Sequence, residues 1–135
     1  MGDTCSGEHI AALARGADVL IHEATNAFHP WNNEQTNYNS VERDTFQHGH
    51  STPQMAGRFS RRIGAKKLIL THFSSRYCGD SSESSMRVMW SIEDMARSTA
   101  DLWGPNDVIA AWDHLIYPVA QTDDHDEEMI EREDA

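Results

Sequence analysis

Apolar positions along the chain change period several times, and each change predicts an element. Residues 6–15 carry Ile10, Leu13 and Ala14 at helical spacing, between a capping Ser6 with Glu8 in the first turn and a terminating Gly16, so a helix is predicted. Val19-Leu20-Ile21 is then a short apolar run, read as a buried strand whose end delivers His22 and Glu23. Residues 26–47 are rich in Asn and other polar types without a clear period and are predicted as a long loop. Thr52-Pro53 marks a helix start, because Thr can cap and Pro tolerates the first helical position. Met55, Ala56, Phe59 and Ile63 follow on one face, and Gly64 stops the helix.

Leu68-Ile69-Leu70 predicts a second buried strand with His72 just past its end. From 86 to 103, Val88, Met89, Ile92, Met95, Ala96, Thr99 and Leu102 keep helical spacing, so the methionines are core filling. Residues 108–112 supply a third apolar run. This order alternates helices and strands, which predicts an α/β fold with its chemistry gathered at strand ends and helix starts.

Charge modifies that picture in two places. The 135 residues carry a formal net charge of -11, but eight acids against Arg132 in residues 122–135 account for -7 of it. That acidic tail is predicted to be solvated and disordered, leaving residues 1–121 as the folded part. Residues 45–79 hold no Asp or Glu but contain Arg58, Arg61, Arg62, Lys66, Lys67 and Arg76, an island of +6 around the histidine motifs that suggests phosphate contact. No run approaches the roughly 20 apolar residues of a membrane span, and no leader precedes the motifs, so a soluble, non-secreted protein is expected. Cys5 and Cys78 are far apart and form no CxxC pair, which disfavours a disulfide framework or a thiolate metal site.

Four motifs carry the candidate chemistry: Gly2-Asp3-Thr4, His22-Glu23-Ala24-Thr25, Gly49-His50-Ser51-Thr52 and Thr71-His72-Phe73-Ser74-Ser75-Arg76-Tyr77. Asp3 presents a carboxylate beside a permissive glycine, and His72 presents an imidazole from a strand end. His22 alternates with Glu23 along an extended strand and is assigned a structural role. His48-Gly49-His50 imitates a metal HxH pair but lacks an Asp-His continuation. Thr52 is read as a cap, and Arg76 and Tyr77 as either substrate contacts or loop-locking residues.

In this order the four motifs resemble the C-terminal catalytic half of tRNase Z, the 3′-tRNA-processing endoribonuclease family with the metallo-β-lactamase fold. The resemblance runs from Gly2 to about Pro118, and the end of the chain is similar to the eukaryotic long form. It implies half of an αββα sandwich, an α/β fold, and zinc-dependent removal of the 3′ trailer from precursor tRNA. Carried onto this sequence, it makes Asp3 the carboxylate bridging two zinc ions and His72 a terminal ligand. His50 becomes the proton donor, Glu23 its orienting carboxylate, and Arg76 and Tyr77 candidate substrate contacts.

The family's HxHxDH segment does not occur in these residues, so two of seven expected ligand positions are present. The isolated chain is therefore expected to be inactive and to be a fragment or, alternatively, a non-catalytic interaction or regulatory module. A lactamase or thioesterase reading is disfavoured by the His72–Tyr77 motif. The resemblance further implies a homodimer and, for a long form, a nuclear or mitochondrial location.

Overall fold

A computed structural model describes residues 1–32 and 34–120. The acidic tail, with the expectation attached to it, lies outside the described residues. Three short parallel strands form one sheet in the order β1-β2-β3: β1 is Leu20–Glu23, β2 is Leu68–Thr71 and β3 is Val108–Ala110. Three helices connect them: α1 (Tyr38–Gln47) and α2 (Pro53–Ile63) between β1 and β2, and α3 (Glu83–Ala100) between β2 and β3.

The helix α2 forms where the Thr52-Pro53 signal places it. Thr52 is extended, its hydroxyl accepts the Met55 N–H at 3.3 Å, and Gly64 closes the helix at a left-handed φ of 68°. Such a cap contributes roughly 1 kcal/mol. Helix α3 begins earlier and ends earlier than the periodicity suggests, because Ser82 caps it and Asp101 terminates it in the left-handed region at φ 57°.

Two expectations are corrected. The helix predicted over 6–15 is reduced to a 3-10 turn, Glu8–Ile10, followed by irregular turns. Leu13 is 89% exposed and Gly7, not Ser6, stands at the cap without a side-chain bond, so neither packing nor capping sustains a longer helix. The loop predicted over 26–47 contains α1, capped by Asn37, whose side chain accepts the Ser40 N–H at 2.9 Å. Only Val41 and Thr45 are buried from α1, so its apolar signal was too sparse to show a period.

Helices α2 and α3 pack on each other and on one face of the sheet. Their shared core consists of Leu20, Leu68, Leu70 and Val108 from the strands with Ala56, Phe59, Ile63, Ile92, Ala96 and Ala100 from the helices. Full burial of Leu68, Leu70 and Ile92 contributes about 1.5–3 kcal/mol each. Strand alternation turns Ile21, Ile69 and Ile109, which are in register, to the opposite face. Ile21 is 52% exposed there. No helix among the described residues is long and apolar enough to cross a membrane.

Candidate metal centre and proton-transfer pair

The four motifs converge at the C-terminal ends of the parallel strands, where open α/β sheets leave a crevice. Strand β1 ends in Glu23, β2 is followed by His72, and the α1–α2 connection supplies His50. The N-terminal segment brings Asp3 across them. One ligand atom from each of Asp3, Glu23, His50 and His72 lies within 4.8 Å of the others, a group able to hold a metal ion.

Glu23 is the hub of this arrangement. It is fully buried, and each carboxylate oxygen has two partners. Oε1 accepts the Thr4 N–H and faces His50 Nδ1 at 3.3 Å, while Oε2 accepts the Thr25 hydroxyl at 2.5 Å and the Ser51 N–H at 3.0 Å. Burial alone would push this carboxyl up. The bonds from Thr25, Ser51, Thr4 and His50 outweigh it and hold the group below the usual carboxylate range. A carboxylate offers about four acceptor sites, so Glu23 has no lone pair left for a metal.

Asp3 and His72 are placed differently. Asp3 is 78% exposed, and its Oδ1 lies 3.4 Å from His72 Nε2 and 3.8 Å from His50 Nδ1. Both residues adopt positive φ, 48° at Asp3 and 58° at His72, although neither is glycine. Backbone held in this region costs about 1–3 kcal/mol and persists where surrounding structure fixes it. At His72 the fixing contacts are visible: Thr25 Oγ1 lies 2.9 Å from both its Nδ1 and its carbonyl oxygen.

The Thr25 hydroxyl has one proton, and Glu23 Oε2 is its nearest acceptor at 2.5 Å. Thr25 Oγ1 is also 2.9 Å from His72 Nδ1, a contact that turns Nε2 towards Asp3. An open carboxylate and an open imidazole nitrogen are a donor set that suits zinc. Thr25 escaped the sequence reading as a functional residue, although its place in the His22–Thr25 motif was the available signal.

Other motif residues fall into place around this centre. His22 is buried, its Nδ1 is 2.8 Å from the Glu23 carbonyl oxygen, and burial lowers its pKa. Ser51 donates its hydroxyl to the Thr4 carbonyl at 2.5 Å, tying the first motif to the third. Tyr77 is half-buried, and its hydroxyl accepts the Ala27 N–H at 2.9 Å and bonds Asn26 Oδ1 at 3.3 Å, a loop-locking geometry. Arg76 is exposed, reaches Ser74 and Asn26, and borders a groove of about 310 Å³ lined also by Thr25, His48 and His50. His48 is exposed and bonded to the Asp44 carbonyl, outside the four-residue cluster.

The basic island does not form a free positive surface. Arg58 pairs with Glu42, Arg62 with Glu8, Lys66 with Asp18 and Lys67 with Asp107. Every one of these acids lies outside residues 45–79, so their absence from the island hid the neutralisation. Lys66 and Lys67 stand before β2, about 13 Å of strand from the His72 end. Arg61 and Arg62 close α2, about 12–14 Å of helix from its site end. Among the six cations, Arg76 alone borders the His50 groove.

No family model matches the chain. It is similar to ribonuclease Z of Pseudomonas putida, with 44% identity over 79 residues, 58% of this chain and 22% of that protein. The ribonuclease Z of Brevibacillus brevis is 40% identical over 85 residues, 63% of this chain and 23% of that protein. The chain thus spans less than a quarter of the length of these curated relatives. Among solved structures, human tRNase Z, short form, superposes with a TM-score of 0.56 and 28% identity over 90% of this chain and 32% of that one. The metallo-beta-lactamase fold protein YhfI from Bacillus subtilis gives a TM-score of 0.50 at 20% identity, over 82% of this chain and 34% of that one, and supports the fold alone. These proteins are bacterial or short-form, so the expected likeness to the eukaryotic long form is not supported. Over part of its length this chain is homologous to ribonuclease Z, and its parallel α/β sheet matches part of the metallo-β-lactamase fold.

Proposed function

We propose that the chain contributes part of the catalytic site of a zinc-dependent endoribonuclease that removes the 3′ trailer from precursor tRNA. The observation that carries the reading is the division of labour around Glu23. Its four bonds saturate it and fix His50, while Asp3 and His72 keep open donor atoms a short distance away.

In this reading Asp3 and His72 hold zinc, completed by ligands outside these residues, and residues 1–121 form the corresponding part of the domain. Zinc bound there supplies charge stabilisation to the oxygens of a phosphodiester. Glu23 orients His50 through Nδ1, leaving Nε2 to carry the proton. As water attacks phosphorus and the bond to the 3′ oxygen breaks, His50 delivers that proton to the leaving oxygen while the attacking water's proton passes to solvent, leaving the tRNA with a 3′ hydroxyl and the trailer with the phosphate. Arg76, at the groove beside His50, contacts a substrate phosphate, whereas Tyr77 holds the loop that presents it. A dimer would follow by likeness to the family.

The test is a hybrid in which residues 1–120 replace the corresponding segment of the Pseudomonas putida ribonuclease Z. The hybrid is expected to cleave precursor tRNA at the trailer junction, and the isolated chain with added zinc is not. A folded, zinc-loaded hybrid without cleavage would overturn the proposal, as would cleavage by the isolated chain that Asp3→Ala abolishes.

A further inference from the structure

The two outer edges of the sheet are finished in the same hydrogen-bond pattern by different means. At the β1 edge, Met1 occupies the position of a residue in a neighbouring parallel strand: its N–H group donates to the Ile21 carbonyl at 2.7 Å and its carbonyl accepts the Glu23 N–H at 2.8 Å. In parallel pairing one residue bonds two positions on its neighbour in this way, donating to one and accepting from the residue two places on.

The β3 edge offers the same pair of groups. Asp107 and Ala111 bond inward to β2, so alternation turns the Val108 carbonyl and the Ala110 N–H outward. No strand lies there among the described residues. Instead, Glu93 Oε1 accepts the Ala110 N–H at 2.8 Å, and Arg97 Nη2 approaches the Val108 carbonyl as donor at 3.4 Å. Glu93 and Arg97 are one helical turn apart on α3, which packs against β3, so their spacing along the helix matches the two edge groups. Both side chains are only partly exposed.

We propose that Glu93 and Arg97 act together as a substitute for one residue of a fourth strand, closing the β3 edge against edge-to-edge pairing with a second copy of this chain. An edge strand with free N–H and C=O groups is a template for such pairing, and charged side chains are a recognised way to blunt it. Here the charges do more than repel, since they occupy the donor and acceptor that a second chain would use. Val108-Ile109-Ala110 is apolar and adjoins exposed Trp112 and Ile116, so once opened it presents an edge suited to self-association.

The experiment compares the full chain with Glu93→Ala/Arg97→Ala by light scattering over a range of concentrations, with hydrogen exchange read at the Ala110 amide. The double variant is expected to at least double in mass relative to the unsubstituted chain as concentration rises. Its Ala110 amide should exchange rapidly when dilute and regain protection when associated. Glu93→Gln keeps an acceptor oxygen and is expected to retain the unsubstituted mass. Should the double variant not fold, Arg97→Ala alone opens the Val108 carbonyl and is expected to show the same direction of change. A folded variant that keeps the unsubstituted mass at every concentration overturns the proposal, as does association that leaves Ala110 unprotected.

Discussion

At the residue scale, the proposed chemistry rests on one buried carboxylate whose lone pairs are fully engaged and on a threonine that links it to His72. Thr25→Val removes the hydroxyl between His72 Nδ1 and Glu23 Oε2 while keeping its volume. In the hybrid enzyme it is expected to lower zinc affinity or turnover about 10- to 100-fold, the usual range for partners of metal-bound histidine. Unchanged zinc affinity and rate would show that Thr25 does not orient the His72 ring. A second residue, like buried His22, adds to acid sensitivity. His29 is buried against Trp31 and Tyr77, neither ring nitrogen has a hydrogen-bond partner among the described residues, and burial lowers its pKa below the ordinary 6.5. The unfolded chain therefore takes up a proton that the folded chain refuses, and stability falls as pH drops below the ordinary value towards the folded one. Urea midpoints should fall between about pH 7 and pH 5, and His29→Phe should lose less over that interval. Equal losses would contradict a neutral buried imidazole.

At the element scale, the close approach of α2 to α3 depends on Gly57. A Cβ there would lie 2.4 Å from the Ala96 carbonyl oxygen and 2.0 Å from Thr99 Oγ1. Gly57→Ala is expected to destabilise the fold by about 1–3 kcal/mol in chemical denaturation, despite alanine's better helix propensity. A gain in stability would mean that the helices separate freely. Strong local signals were legible in the sequence: Thr52-Pro53 and Gly64 bound α2 as read, and three β-branched or leucine-rich runs became the three strands. What escaped depended on tertiary contacts. Helix α1 buries just two residues and is announced mainly by the Asn37 cap, whereas the segment after Ser6 has helical spacing but nothing covering Leu13. Periodicity reports an amphipathic face and does not report whether a partner exists.

At the scale of the whole molecule, the four motifs were legible as chemistry because parallel strands deliver their ends to one side, and the structure brings Asp3, Glu23, His50 and His72 together there. The charge island was misleading for the opposite reason: sequence neighbours at both ends of α2 and β2 are spatially apart, and acids distant in sequence neutralise four of its six cations. Substrate affinity of the hybrid should accordingly weaken with Arg76→Ala, with a shallower salt dependence, and stay unchanged with Lys66→Ala/Lys67→Ala. Equal weakening would restore the island as a phosphate-binding surface. The division between metal-holding and proton-moving residues is tested most directly by measuring zinc content and turnover together in the hybrid bearing His50→Ala or His72→Ala. His50→Ala should keep near-normal zinc while turnover drops about 10²- to 10⁴-fold, the range of a lost general acid, and His72→Ala should lose zinc. Equal zinc loss in both variants would contradict that division.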